Sequence, residues 1–135
     1  MKTIEEYFIH IRQLIQGLPE SFPERYEEQI LSVTRGSLRI RLRFSDEALL
    51  EISEAIVLTA GEPHWLSYRY HYQDPSAGLV FRYDNAPHHP EISTHPDHKH
   101  EGDRVQANSH PSIEQVLLEV EAFRNRVGRR VRAEM

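Results

Sequence analysis

The chain predicts an α+β fold: an antiparallel sheet of about five strands, arranged as a meander, packed against an N-terminal and a C-terminal helix. Three observations carry this. Apolar residues recur at helical spacing near both ends, alternate with polar residues through the middle, and the alternating runs are separated by clusters of turn-forming residues.

The first helix opens at Thr3, with Glu6 three residues on as a capping-box signal, and continues through Ile4, Tyr7, Phe8, Ile11, Leu14, Ile15 and Leu18 to a stop at Gly17-Leu18-Pro19. A Pro-flanked connection, residues 19–23, leads into a strand over 26–34, and Arg35-Gly36 marks a turn. Over 37–44 the alternation is strict. Leu38, Ile40, Leu42 and Phe44 fall on one face, expected to be core, and Arg39, Arg41 and Arg43 on the other. Residues 45–47 turn into a strand over 49–58. After Gly61-Glu62-Pro63, Tyr68, Tyr70 and Tyr72 alternate with Arg69, His71 and Gln73. Residues 74–78 are rich in turn formers, and Leu79, Phe81 and Tyr83 then alternate with Val80, Arg82 and Asp84. A hairpin closed there puts Arg69, His71, Arg82 and Asp84 on one face and the aromatic residues on the other. The tyrosines could stack on bases, but the shared alternation reads as core. Ser112 with Gln115 caps a last helix whose apolar face is Ile113, Val116, Leu117, Val120, Phe123 and Val127.

A length of 135 residues suits one domain with one core. There is no cysteine, which excludes disulfides and thiolate ligands and leaves His, Asp, Glu or water for any metal. Charged and polar residues interrupt the N-terminal apolar positions, so a cytoplasmic protein with no membrane span is expected. The net charge of −5 speaks against binding nucleic acid through bulk charge. It is unevenly spread: Arg124, Arg126, Arg129, Arg130 and Arg132 stand against Glu134 in a basic tail that can meet RNA or an acidic protein, or simply be a solvated face.

Residues 85–111 read as one long loop rich in His, Pro and Asp, a length at which a loop in a compact domain is usually functional. Tyr68-Arg-Tyr-His-Tyr-Gln-Asp74, Phe81-Arg-Tyr-Asp-Asn-Ala-Pro-His-His-Pro-Glu91 and His98-Lys-His100 together resemble the TumE family of toxin-antitoxin toxins, over most of the chain. The resemblance implies a single toxin domain over 1–135 with a cognate antitoxin protein as partner. In one place the chain departs from the family pattern, which there resembles Phe-Pro-His-His-Lys-His: Asp97 stands where that pattern has a His, and His95 inherits no role.

Acid-base cleavage of RNA needs an imidazole to take the 2′-hydroxyl proton, an acid for the leaving oxygen, and cations for the phosphorane charge. Arg69, His71, Arg82, Asp84 and His88 supply that inventory on one hairpin and its adjoining loop, and Arg39, Arg41, Arg43, Asn85 and His89 are candidates for substrate binding. The expected function is therefore a toxin of the type II class, acting on RNA as a ribonuclease. The bland reading pairs Arg69 with Asp84 on a solvated face and gives the histidines no role. No cofactor is required, though His98, His100 and Asp97 offer a divalent metal imidazole and carboxylate. A toxin that blocks a protein target without nuclease chemistry, and a non-toxic metal-binding accessory module, are the alternatives.

Overall fold

The computed structural model describes the backbone of residues 2–134 and the side chains other than those of residues 129, 131, 132 and 134. The chain runs α1 (Ile4–Gln16), β1 (Ser21–Ser32), β2 (Arg35–Phe44), β3 (Leu49–Thr59), β4 (Glu62–Gln73), β5 (Leu79–Asp84), β6 (His98–Glu101), β7 (Arg104–Ala107) and α2 (Ile113–Glu134). The strands form one antiparallel sheet in chain order, β1 to β7, so the α+β meander expected from sequence is present with seven strands instead of five.

The two extra strands lie inside the segment read as a loop. β6 and β7 have four residues each and turn at Gly102 and Asp103, where Gly102 takes φ of +62° at no steric cost. Such short strands hold too few residues to display a period. β1 also starts earlier than expected and tolerates Pro23 because it is an edge strand, with the ladder shifting between Pro23 and Arg25. The first turn sits at Val33 and Thr34, not at Arg35-Gly36. Gly36 lies within β2 for a different reason: a Cβ there would stand 2.8 Å from the Gln29 carbonyl oxygen and 2.8 Å from Ile4 Cγ1, so only glycine lets α1 lie this close to the hairpin.

Both helix starts follow their caps. The Glu6 amide donates to Thr3 Oγ1 at 3.1 Å. At α2 the box is reciprocal, with the Gln115 amide donating to Ser112 Oγ and the Ser112 amide to Gln115 Oε1. The helices bury Ile4, Tyr7, Phe8, Ile11, Val116, Leu117 and Val120 against one face of the sheet, among Leu38, Ile40, Leu42, Phe44, Leu50, Ile52, Tyr70, Tyr72 and Phe81. The tyrosine row is therefore core, and Arg39 on the opposite face is exposed. Within the basic tail, Arg124 is tied to the body: it donates to Asp46 at 2.9 Å and lies 4.2 Å from the Phe44 ring centroid. The side chains of Arg129, Arg132 and Glu134 lie outside the described residues.

One polar group interrupts this core. Glu54 occupies a core-facing position of β3 and is 3% exposed. Tyr7 donates to its Oε1 at 2.6 Å, Trp65 Nε1 donates to Oε2 at 2.9 Å, and the Tyr70 hydroxyl makes a short bond to Oε2. Since Tyr70 spends its only proton on Glu54, its oxygen accepts from His110 Nε2 at 2.8 Å. His110 stacks on Tyr68 with ring centroids 3.8 Å apart, and burial pushes its pKa down to about 4, so the ring is neutral. Burial also raises the Glu54 pKa, against the opposing pull of its three donors.

Two stability predictions follow from this packing. Ile40→Ala should cost about 2–5 kcal/mol in denaturant unfolding, and a loss of only a few tenths would refute its place in the core. Glu54→Leu should cost more than its change in volume implies, about 1–3 kcal/mol for each donor left without a partner. With the folded pKa of Glu54 raised, the native state binds this proton more tightly than the unfolded chain does. Its contribution is therefore complete below about 4.5 and declines as pH rises through the elevated folded value. Subtracting the pH profile of Glu54→Gln from that of the wild type should isolate this decline.

Candidate functional site

Because the helices cover one face, the other face of β2 to β6 is left without them, and the ladder decides what meets there. Arg69 of β4 lies opposite Asp84 of β5, which lies opposite His98 of β6; one rung along, His71, Arg82 and His100 line up in the same way. Neighbouring strands are about 4.8 Å apart, so each rung brings its three side chains within reach of one another. The hairpin register is the one expected from the alternation. The partners of Asp84 are not. Its carboxylate turns from Arg69 toward His98 Nε2 at 3.0 Å, His100 Nε2 at 3.6 Å and Arg82 Nε at 3.6 Å, and also accepts from the Ala86 amide at 2.9 Å. Arg69 stays exposed on the same face.

His98 is nearly sealed, at 2% exposure, and its orientation is fixed chemically. Its Nδ1 lies 2.9 Å from the Pro96 carbonyl oxygen, which can only accept, so Nδ1 carries the proton. Nε2 then faces both Asp84 and the Nε2 of His100 at 3.1 Å. His89 reaches this pair from the loop over residues 85–97, with ring centroids 5.0 Å from His98 and 5.8 Å from His100. Asp97 sits apart from these histidines and accepts from the Tyr68 hydroxyl at 2.9 Å.

His71 is half-buried. Its Nε2 lies 2.9 Å from Gln73 Oε1, while Nδ1 is buried without a hydrogen-bond partner. Burial lowers its pKa, and the nearby Arg69 and Arg82 lower it further. Burial and Arg82 do the same to His100, against the pull of Asp84. Both rings are thereby biased to the neutral form, in which one nitrogen can accept a proton.

The remaining candidates fall in different places. Arg41 and Arg43 share the open face and both lean on Glu24, at 3.3 and 3.1 Å. They lie two strands from β4, about 10 Å away, and so extend the cationic surface without joining the cluster. Asn85 spends its side-chain oxygen on the Tyr68 amide, at 3.1 Å, which ties the loop to the sheet. His88 is exposed on that loop. Sequence reasoning did not place His98 and His100 beside the hairpin residues, although their two-residue spacing and the Gly102 turn were the available signals. A groove of about 850 Å³ beside the second half of α2 contains none of these groups.

Fold and open face thus define a small α+β protein that carries a histidine, arginine and aspartate centre on the helix-free side of a meander. The chain belongs to the family described as Toxin TumE, whose pattern it matches over residues 9–130. Comparison with curated proteins and with solved structures finds no match. Among the described residues, no helix is long and apolar enough to cross a membrane.

Ring titration by NMR should give His71 and His100 midpoints below the ordinary 6.5. A midpoint for His71 at or above that value would contradict its burial beside two guanidinium groups.

Proposed function

We propose that the chain is the toxin of a toxin-antitoxin pair and that it acts on RNA as a ribonuclease. Family membership supports the first part, and with it an antitoxin protein as partner. The observation that carries the second is the position of His71, whose imidazole is biased to neutral and flanked by Arg69 along β4 and Arg82 across the ladder. A phosphodiester held by the two guanidinium groups brings a 2′-hydroxyl to the imidazole. His71 takes that proton on Nε2, which exchanges Gln73 Oε1 for the hydroxyl because Nδ1 is buried, as the 2′ oxygen attacks phosphorus, while the arginines meet the charge that develops on the phosphoryl oxygens. The 5′ oxygen leaves on the β6 side and takes its proton from solvent water. Asp84 also fixes the Arg82 guanidinium, and Arg41 and Arg43 extend the track for the backbone of the RNA.

The test incubates purified protein with total RNA, tRNA and ribosomes, with and without divalent ions, and maps new RNA ends. His71→Ala should lower product formation by about 10²–10⁴-fold and relieve growth arrest in cells, while antitoxin binding is kept. Arg82→Ala should weaken both RNA binding and turnover. His88→Ala, at an exposed loop position, measures what the loop adds. Wild-type protein that arrests growth yet leaves RNA without new ends or altered nucleotides would replace this reading with blockade of a protein target.

A further inference from the structure

Three donor atoms of a kind that binds metal converge around His98. With Nδ1 directed at the Pro96 carbonyl, Nε2 is the ring nitrogen of His98 left to meet a ligand. That nitrogen points into a space shared with an Asp84 carboxylate oxygen at 3.0 Å and the Nε2 of His100 at 3.1 Å. A single cation among the three satisfies all of them at once. Ligand atoms bound at about 2.0–2.1 Å to one tetrahedral or octahedral ion lie about 3.0–3.4 Å from one another, close to the 3.0 Å of His98 to Asp84 and the 3.1 Å of His98 to His100, with His100 to Asp84 slightly longer at 3.6 Å. A third imidazole is at hand, since the ligand nitrogens of His89, His98 and His100 lie within 4.8 Å of one another.

We infer that His89, His98 and His100, with the Asp84 carboxylate as fourth ligand, bind one divalent transition-metal ion that clamps the loop over residues 85–97 onto β5 and β6.

The donor set is three nitrogens and one oxygen without sulfur, which suits zinc and its first-row neighbours and disfavours calcium and magnesium, ions that prefer all-oxygen shells. Two of the ligands come from β6, one from the end of β5 and one from the loop, so the ion joins the loop to the β5–β6 ladder. His98 brings the supporting contact such ligands usually have, because its bond to the Pro96 carbonyl fixes ring and tautomer before the ion arrives. Asp97 is outside the set and remains with Tyr68. Arg69, His71 and Arg82 are also outside it, so binding of the ion is independent of whether RNA is the target.

The experiment uses full-length protein without an affinity tag, stripped by chelator and titrated calorimetrically with zinc, then with nickel, manganese and ferrous ions. One zinc per chain and a rise in Tm are expected, together with slower proteolysis of the loop. His89→Ala, a half-buried loop substitution that spares the sheet, and His100→Ala should each weaken binding by roughly a hundredfold or more. Asp84→Asn should weaken it by about 10–100-fold, and Asp97→Asn should leave it unchanged. No saturable binding of any of the four ions would overturn the proposal. So would zinc binding that survives in the folded His89→Ala and His100→Ala variants, because the ion would then sit on other histidines. His71→Ala should abolish RNA cleavage and retain zinc, which keeps the two readings separable.

Discussion

The buried carboxylate of Glu54 is the constraint on which the arrangement of layers depends. A carboxylate removed from water is tolerable only when its oxygens are met by donors, and here the donors come from separate elements: Tyr7 of α1, and Trp65 and Tyr70 of β4. His110, just before α2, completes the shell through Tyr70. The same group thereby fixes where the first helix lies, where the bulged part of β4 lies, and where the chain enters the second helix. Apolar packing seats both helices on the sheet, and the bonds to Glu54 add direction to it for α1 and for the approach to α2.

With both helices committed to one face, the polar residues of β2 to β4 on the other stay open, while the loop over residues 85–97 reaches over His98 and His100. This converts an alternation in sequence into a polar surface. Each of β4, β5 and β6 contributes one residue per rung, and the two rungs carry opposite mixtures: cation, acid and imidazole in one, imidazole, cation and imidazole in the next. The centre therefore needs no distant segment apart from the loop that carries His89. Its precision comes from a ladder of backbone bonds, which is stiffer than a loop-built site.

The parts of the fold that could be read from sequence were those in which period and burial agree. Leu38, Ile40 and Leu42 against the arginines, and Tyr70 and Tyr72 against His71, declare both strand and face because every second residue repeats its chemistry. β6 and β7 were illegible for the opposite reason: four residues, mostly His, Lys and Glu, do not distinguish a strand from a polar loop. Glu54 was illegible because an acid at a core position looks like a surface residue until the hydroxyls around it are known. The site divides along the same line. Arg69, His71, Arg82 and Asp84 could be assembled from one hairpin, whereas the choice between Asp84 and Asp97 beside His98 depends on the loop's path, for which no local pattern exists.

The strict chain order of the sheet has a consequence for synthesis. Every strand pairs with the one made just before it, so hairpins can close successively as the chain leaves the ribosome, beginning with β1 and β2. The rungs that carry Asp84, His98 and His100 close last among the site strands. A nascent chain halted after β4 contains the first hairpins and the tyrosine row, but neither Arg82 nor any member of the cluster beside it. The cluster of histidine, arginine and aspartate is thus incomplete until His100 has been translated.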